Sequence, residues 1–123
     1  HKIVVEGFNG DKDINNLIVN NLKRVSKESS KSNINISFNT VYTKKILAKN
    51  NKGTITDYQS NVETTFIITK KNSTENFVVE EKFNFQKLAD KYEEKNYERD
   101  IKKNFASSIS QKLVLRLAII EWY

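Results

Sequence analysis

The sequence contains no cysteine, so it forms neither a disulfide framework nor a thiolate metal site. Its only histidine is the first residue, which leaves no imidazole inside the fold to act as a general base. Three glycines are too few for a glycine-rich phosphate loop, and no serine stands in a Gly-x-Ser-x-Gly context. We therefore predict a protein that is not an enzyme and that has no metal or cofactor site.

Arginine is also scarce and occurs only at Arg24, Arg99 and Arg116. The net charge of +6 therefore comes almost entirely from lysine. A basic chain attracts nucleic acid, anionic lipid or acidic proteins. Arginine makes the bidentate contacts with phosphates and bases, so its scarcity disfavours nucleic acid as a partner.

No apolar run approaches the roughly 18 residues that a membrane-spanning helix needs. The 123 residues fit one domain, residues 1–123, with a core of its own. The sequence has no methionine and begins at His1. We expect any signal peptide and lipid-bearing cysteine to precede this residue.

The first third of the chain predicts a strand, a helix and the start of a second strand. The strand covers Lys2 to Phe8, and Asp11 or Asp13 can cap the helix that follows. Apolar residues recur in that helix at a spacing of three or four: Ile14, Leu17, Ile18, Leu22 and Val25. From Asn33 the period changes to two, with one apolar face formed by Ile34, Ile36, Phe38, Thr40 and Tyr42.

The middle of the chain predicts a meander of three antiparallel strands. Asn50 to Gly53 forms the first turn and the segment KKNSTEN the second. Each arm of the first hairpin has about 15 residues and would reach about 50 Å, against about 24 Å for the first helix. We therefore expect the hairpin to project past the helices.

The last third predicts a long amphipathic helix with a looser, charged beginning, LADKYEEKNYERD, which Tyr92 and Tyr97 anchor. Its end, VLRLAIIEWY, is apolar on every side. Such an end either packs in the core or meets a partner. The candidate partner contacts are Leu115, Ile119, Trp122 and Tyr123.

Together these elements predict an α+β two-layer sandwich in the order β-α-β-β-β-α. Two helices pack on one face of a four-stranded, largely antiparallel sheet with a long hairpin between the second and third strands. The other face is rich in amides and suits either water or the polar inside of a wide β-barrel. Its residues are Asn33, Asn35, Ser37, Asn39, Gln59, Asn61, Glu63, Glu80, Lys82 and Asn84.

Four lysines surround the predicted hairpin turn: Lys44, Lys45, Lys49 and Lys52. They form either a basic prong that meets phosphorylated or anionic lipid, or an ordinary soluble turn. Strands at sheet edges also carry lysine to prevent aggregation. The composition leaves both interpretations open.

Three segments resemble the lipopolysaccharide-assembly lipoprotein family, LptE. They are KIVVEGFNGDKDINNLIVNNLKR, the hairpin TKKILAKNNKGTITDYQSNVETTFII and the end YERDIKKNFASSISQKLVLRLA. The resemblance implies an outer-membrane lipoprotein of a Gram-negative bacterium, facing the periplasm and anchored through an N-terminal cysteine. It implies a plug inside the lipopolysaccharide-assembly barrel, LptD, that helps the barrel fold and helps deliver lipopolysaccharide.

The resemblance also implies which residues contact lipopolysaccharide. Lys44 and Lys45 match the basic pair that precedes the family's hairpin turn, and Lys82 lies near a basic position on its last strand. The alternative is a generic periplasmic protein–protein interaction domain with the same fold and no role in lipopolysaccharide transport.

Overall fold

The computed structural model describes residues 2–27 and 29–121. Its elements in chain order are β1 (Lys2–Gly10), α1 (Lys12–Val25), β2 (Asn33–Lys49), β3 (Ile55–Lys70), β4 (Ser73–Gln86) and α2 (Lys91–Glu121). The strands form one sheet in the order β1-β2-β3-β4. β1 runs parallel to β2, and the other neighbours are antiparallel. The predicted α+β class and element order are confirmed.

The alternation in β2 separates a face covered by helices from an open face. Ile34, Ile36 and Phe38 are buried beneath the helices, whereas the residues between them point away. The same alternation continues through β3 and β4 because cross-strand partners point to the same side of a sheet. The open face carries the predicted amides, and exposed Val41, Ile67 and Val78 lie among them.

The two helices supply one half of a single hydrophobic core. They bury Ile14, Ile18 and Leu22 of α1 and Ile101, Phe105, Ile109, Leu113 and Leu117 of α2. Opposite them, Phe66 is fully buried at the centre of the sheet. Each such side chain contributes about 1.5–3 kcal/mol through burial. Val25, predicted in the apolar stripe, is 46% exposed because it is the last residue of α1.

A close approach between β1 and β2 fixes the start of α1. Gly10 has a φ of +101°, and a Cβ at this position would lie 1.9 Å from the carbonyl oxygen of Thr40. The next backbone N–H, of Asp11, donates to that oxygen at 3.0 Å. The Asp11 carboxylate in turn accepts from the N–H of Ile14 at 3.0 Å. Of the two predicted caps, Asp11 is therefore the one that begins α1.

From Lys91 onward, the segment predicted to be loose is instead the first part of α2, which runs for 31 residues. Asp90 supplies the reason, since its carboxylate accepts from the N–H of Tyr92 at 2.8 Å. Tyr97 packs edge-on against Phe85, with 5.7 Å between the ring centroids. Tyr92 is 73% exposed and anchors nothing.

Within the described part of the chain, neither helix combines the length and apolarity that crossing a membrane requires.

The hairpin of β2 and β3 extends beyond the rest of the sheet. β4 ends at Gln86, opposite Asp57, so only two strands continue toward the turn. Residues 45–54 are all exposed, on both faces of the hairpin. This arrangement agrees with the expected projection past the helices.

Candidate functional site

The structure separates the predicted basic pair. Consecutive residues of a strand point to opposite faces, so Lys44 and Lys45 cannot act on the same ligand surface. Lys44 lies on the helix-covered face, in line with buried Thr40 and half-buried Tyr42. Lys45 lies on the open face, where Gln59 is its cross-strand neighbour.

Lys44 is held by two carboxylates of α2. Its Nζ lies 3.3 Å from Oε1 of Glu94 and 3.3 Å from Oε2 of Glu98. It also sits 4.2 Å from the centroid of the Tyr58 ring, a cation–π distance. Burial alone lowers the pKa of Lys44, but the two carboxylates outweigh it and hold the pKa above its ordinary value. Lys44 therefore fastens α2 to the sheet.

Tyr42 belongs to the same cluster. Its hydroxyl lies 2.7 Å from Oγ of Ser60 and donates to Oε1 of Glu98 at 2.8 Å. Burial, assisted by the charge of Glu98, raises the pKa of Tyr42 well above its ordinary value. The phenol therefore stays protonated and keeps this donor role. We call Tyr42, Lys44, Ser60, Glu94 and Glu98 the brace, because they join β2, β3 and α2.

The open face brings together the two other predicted lysines. Lys45, Gln59 and Asn84 form one row across the three strands, and Thr43, Asn61 and Lys82 form the next. Gln59 donates from its amide to Oδ1 of Asn84 at 2.8 Å. We call Lys45, Gln59, Asn61, Lys82 and Asn84 the open-face patch.

Both lysines of the open-face patch are available to a ligand. Lys45 and Lys82 are exposed, and neither forms an ion pair with another described residue. Strand spacing and residue rise place their Cα atoms about 12 Å apart, so two lysine side chains can converge on one anionic group. The amides between them donate and accept hydrogen bonds, as sugar hydroxyls require. The patch can therefore bind a phosphorylated or otherwise anionic sugar.

An acidic pair limits this patch on the side away from the hairpin turn. Glu63 and Glu80 are direct cross-strand neighbours on the open face. The hydrogen bond between their carboxyl groups raises the pKa of Glu63, and burial and the charge of Glu80 act in the same direction. The acidic pair therefore separates the open-face patch from the rest of the open face.

The predicted partner contacts of α2 lie along its outer flank. Leu115 is 66% and Ile119 50% exposed, whereas Leu113 and Leu117 of the same helix are in the core. Leu115 and Ile119 line a groove between α2 and the strand residues Phe77 to Glu80. Trp122 and Tyr123 lie outside the described residues. This end of α2 thus has a core side and an exposed apolar side, and the partner contact stays a prediction.

Comparison with known proteins identifies the architecture. No protein-family model matches the sequence, and no curated protein matches it either. Among solved structures, rare lipoprotein B from Shewanella oneidensis matches with a TM-score of 0.72 at 10% identity, covering 98% of this chain and 99% of the other. This chain has the fold of rare lipoprotein B.

Two further lipoproteins share this architecture. A minor lipoprotein from Acinetobacter baumannii matches with a TM-score of 0.58 at 12% identity, covering 90% of this chain and 94% of the other. Lipoprotein B from Nitrosomonas europaea matches with a TM-score of 0.59 at 15% identity, covering 91% and 81%. The match to rare lipoprotein B spans nearly all of both chains, so the long hairpin and both helices belong to the shared fold.

The sequence could have indicated the position of Lys44. Alternate residues of a strand point to the same face, so the even-numbered residues from 34 to 44 lie together. The apolar face predicted from Ile34 to Tyr42 therefore also contains Lys44. Glu94 and Glu98 stand four residues apart, which places both on one face of a helix. The pairing of this helix face with β2 had no sequence signal.

Proposed function

We propose that this chain is a non-enzymatic outer-membrane lipoprotein of the LptE type. It occupies the inside of the lipopolysaccharide-assembly barrel LptD, helps that barrel assemble and binds lipopolysaccharide during delivery to the outer leaflet. The observation that carries the proposal is the whole-length likeness to rare lipoprotein B, a protein of the LptE family. The three LptE-like segments of the sequence support it independently.

The open face suits the proposed position inside a barrel. The lumen of a wide barrel is polar, and this face presents amides and hydroxyls on three neighbouring strands. The covered face is committed to the two helices and is not available for such a contact. The plug therefore turns its open face, or the outer surface of its helices, toward the barrel wall.

For lipopolysaccharide we assign the contact to the open-face patch instead of to Lys44. Lipopolysaccharide offers phosphates on a sugar backbone, which matches two exposed ammonium groups separated by amides. Lys44 would have to break two ion pairs to reach a phosphate. Lys45 and Lys82 have no such cost, so they are the proposed ligand contacts.

Co-purification with LptD tests both parts of the proposal. We expect the wild-type protein to retain the barrel and labelled lipopolysaccharide. A Lys45→Glu/Lys82→Glu variant should retain the barrel and lose most of the lipopolysaccharide. Lys49→Glu/Lys52→Glu is the matched control, with the same charge change at exposed positions outside the patch, and should retain both.

The two parts of the proposal fail separately in this experiment. Undiminished lipopolysaccharide binding by the patch variant removes the patch from the mechanism. Failure of the wild-type protein to co-purify with LptD removes the plug role.

The lipid anchor has a test of its own. A precursor that carries a signal peptide ending in a small residue and cysteine supports the lipoprotein assignment, and a plain cytoplasmic start contradicts it.

The second candidate is a periplasmic protein–protein interaction domain that has no lipopolysaccharide role. The exposed Leu115 and Ile119 favour it, because neighbouring exposed apolar side chains mark contact surfaces. A wild-type protein that binds neither LptD nor lipopolysaccharide, yet loses a partner on Leu115→Ser/Ile119→Ser substitution, would establish this alternative.

A further inference from the structure

The outer edge of β4 presents unpaired backbone groups. Lys87 donates its N–H to the carbonyl of Thr56 at 2.8 Å, which shows that the odd-numbered residues of this strand bond to β3. The N–H and C=O groups of the even-numbered residues from Thr74 to Gln86 therefore point outward. No other strand of residues 2–27 and 29–121 pairs with them.

Charged side chains such as Glu80 and Lys82 are the protection that this edge retains against strand pairing, and they carry both signs. β4 is 14 residues long, has no proline, and keeps an unbroken register with β3. The opposite edge of the sheet, β1, is interrupted by a register shift at Glu6. On β4, Val78 is 50% and Phe83 43% exposed. Long, regular and partly apolar edges recruit another strand.

We propose that a second copy of this chain pairs antiparallel with the β4 edge, with the two-fold axis at Glu81, so that the two sheets become one. A two-fold arrangement makes each contact occur twice. In this register, each Glu80 lies opposite Lys82 of the second copy. On the helix-covered face, Phe77 lies opposite the second copy's Phe85, and Val79 lies opposite its Phe83.

Charge selects this register over its neighbours. A different register must keep each side chain on the same face of the joined sheet. The nearest alternative registers therefore place the two-fold axis one residue away, at Glu80 or at Lys82. The first places Glu80 opposite Glu80, and the second places Lys82 opposite Lys82. Like charges directly opposite each other destabilise a strand pair, whereas opposite charges stabilise it. Only the axis at Glu81 gives two Glu80–Lys82 pairs on the open face.

The same pairing relieves an unfavourable contact within each chain. Glu80 already faces the carboxylate of Glu63 on β3. A lysine arriving on the other side of Glu80 supplies the cation that this pair lacks. The carboxylates of Glu81 meet at the axis, but each is already bound by Lys112 at 2.7 Å and by Ser108.

The helix side of the edge gains apolar contact as well. The groove between α2 and β4, lined by Leu115 and Ile119, runs along the strand that the second copy would join. A neighbouring strand and its helix cover these exposed side chains. The backbone hydrogen bonds along the edge give the pairing its affinity. The burial of these apolar side chains helps to set the position of the second copy.

Charge-swap variants in sedimentation experiments test the pairing and its register. The purified wild-type protein, without lipid or barrel, should reach twice the 14.3 kDa of a single chain as concentration rises. Glu80→Lys alone and Lys82→Glu alone each place like charges opposite each other twice. We expect each to weaken self-association about tenfold or more.

Mixing those two variants gives the decisive measurement. In the mixed dimer every position 80 again faces an opposite charge at position 82, so association should return to about the wild-type level. Lys49→Glu, at an exposed position of β2 away from the β4 edge, is the control for net charge and should dimerise like the wild type. Circular dichroism of each variant verifies folding.

Three results would overturn the inference: a wild-type protein that stays monomeric at every concentration, single variants that still dimerise normally, or folded variants that do not associate when mixed. None of these readouts involves lipopolysaccharide or LptD, so the inference stands or falls independently of the proposed function.

Discussion

Replacing Lys44 with alanine tests whether this lysine is a brace or a ligand contact. In the brace its ammonium group faces Glu94 and Glu98 at 3.3 Å each, and its side chain is 26% exposed. Ion pairs at the surface contribute about 0–1 kcal/mol, and breaking a buried pair costs about 3–5 kcal/mol. At this intermediate exposure we expect Lys44→Ala to lower the free energy of unfolding by about 1–2 kcal/mol.

Lys45→Ala is the matched control, one residue away and on the other face. It should change the free energy of unfolding by less than about 0.5 kcal/mol, as exposed substitutions do. Urea unfolding followed by circular dichroism measures both variants. Equal losses in the two variants, or no loss in Lys44→Ala, would refute the brace.

The pH dependence supplies a second check with a definite sign. The pKa of Lys44 is raised in the folded state, so its stabilisation is complete below the unfolded pKa of about 10.5 and disappears as pH rises through the folded value. The raised pKa of Tyr42 acts in the same direction. The difference between wild type and Lys44→Ala should therefore be full at pH 7 and shrink above pH 10.5.

Two further predictions concern the backbone and the acidic pair. In a thermal melt, Gly10→Ala should lower the free energy of unfolding by about 3 kcal/mol or more. The alanine Cβ would overlap the Thr40 carbonyl, and the backbone has a positive φ at this position. Gly7→Ala, with open space at its Cβ, should stay within about 1 kcal/mol of wild type in the same thermal melt. Glu63→Gln should raise Tm at pH 7, where like charges face each other. The gain should vanish as the pH falls and the carboxyl group of Glu63, whose pKa is raised, protonates in the wild-type protein; a gain that persists at acidic pH would refute the charge argument.

The sequence predicted the fold well because its hydrophobic periods are clean. Alternation from Ile34 to Tyr42 and the helical spacing from Ile101 to Ile120 specify which faces are buried, and those faces dictate a two-layer arrangement. The charged start of α2 was harder to interpret, because its stability comes from the Asp90 cap and from Tyr97 packing on β4. Such tertiary contacts have no local signature.

The site was only partly predictable. Three lysines were identified, but proximity in sequence suggested that Lys44 and Lys45 act together, whereas the strand places them on opposite faces. Lys82 lies near Lys45 only because of how β2, β3 and β4 are aligned. Gln59 and Asn61 of β3 lie between the two lysines. Register depends on turn geometry and on packing across the sheet, so a single sequence does not specify which distant residues become neighbours.

The projecting end of the hairpin gives this domain two levels of local stability. From Leu47 to Thr54 every residue is exposed, so this end is held by backbone hydrogen bonds without a second layer on either face. Opening this end exposes little apolar surface, so its hydrogen exchange should proceed by local fluctuation, whereas the amides beside Phe66 exchange only on global unfolding. The tip can therefore adapt to a ligand or a narrow enclosure while the layered body remains intact.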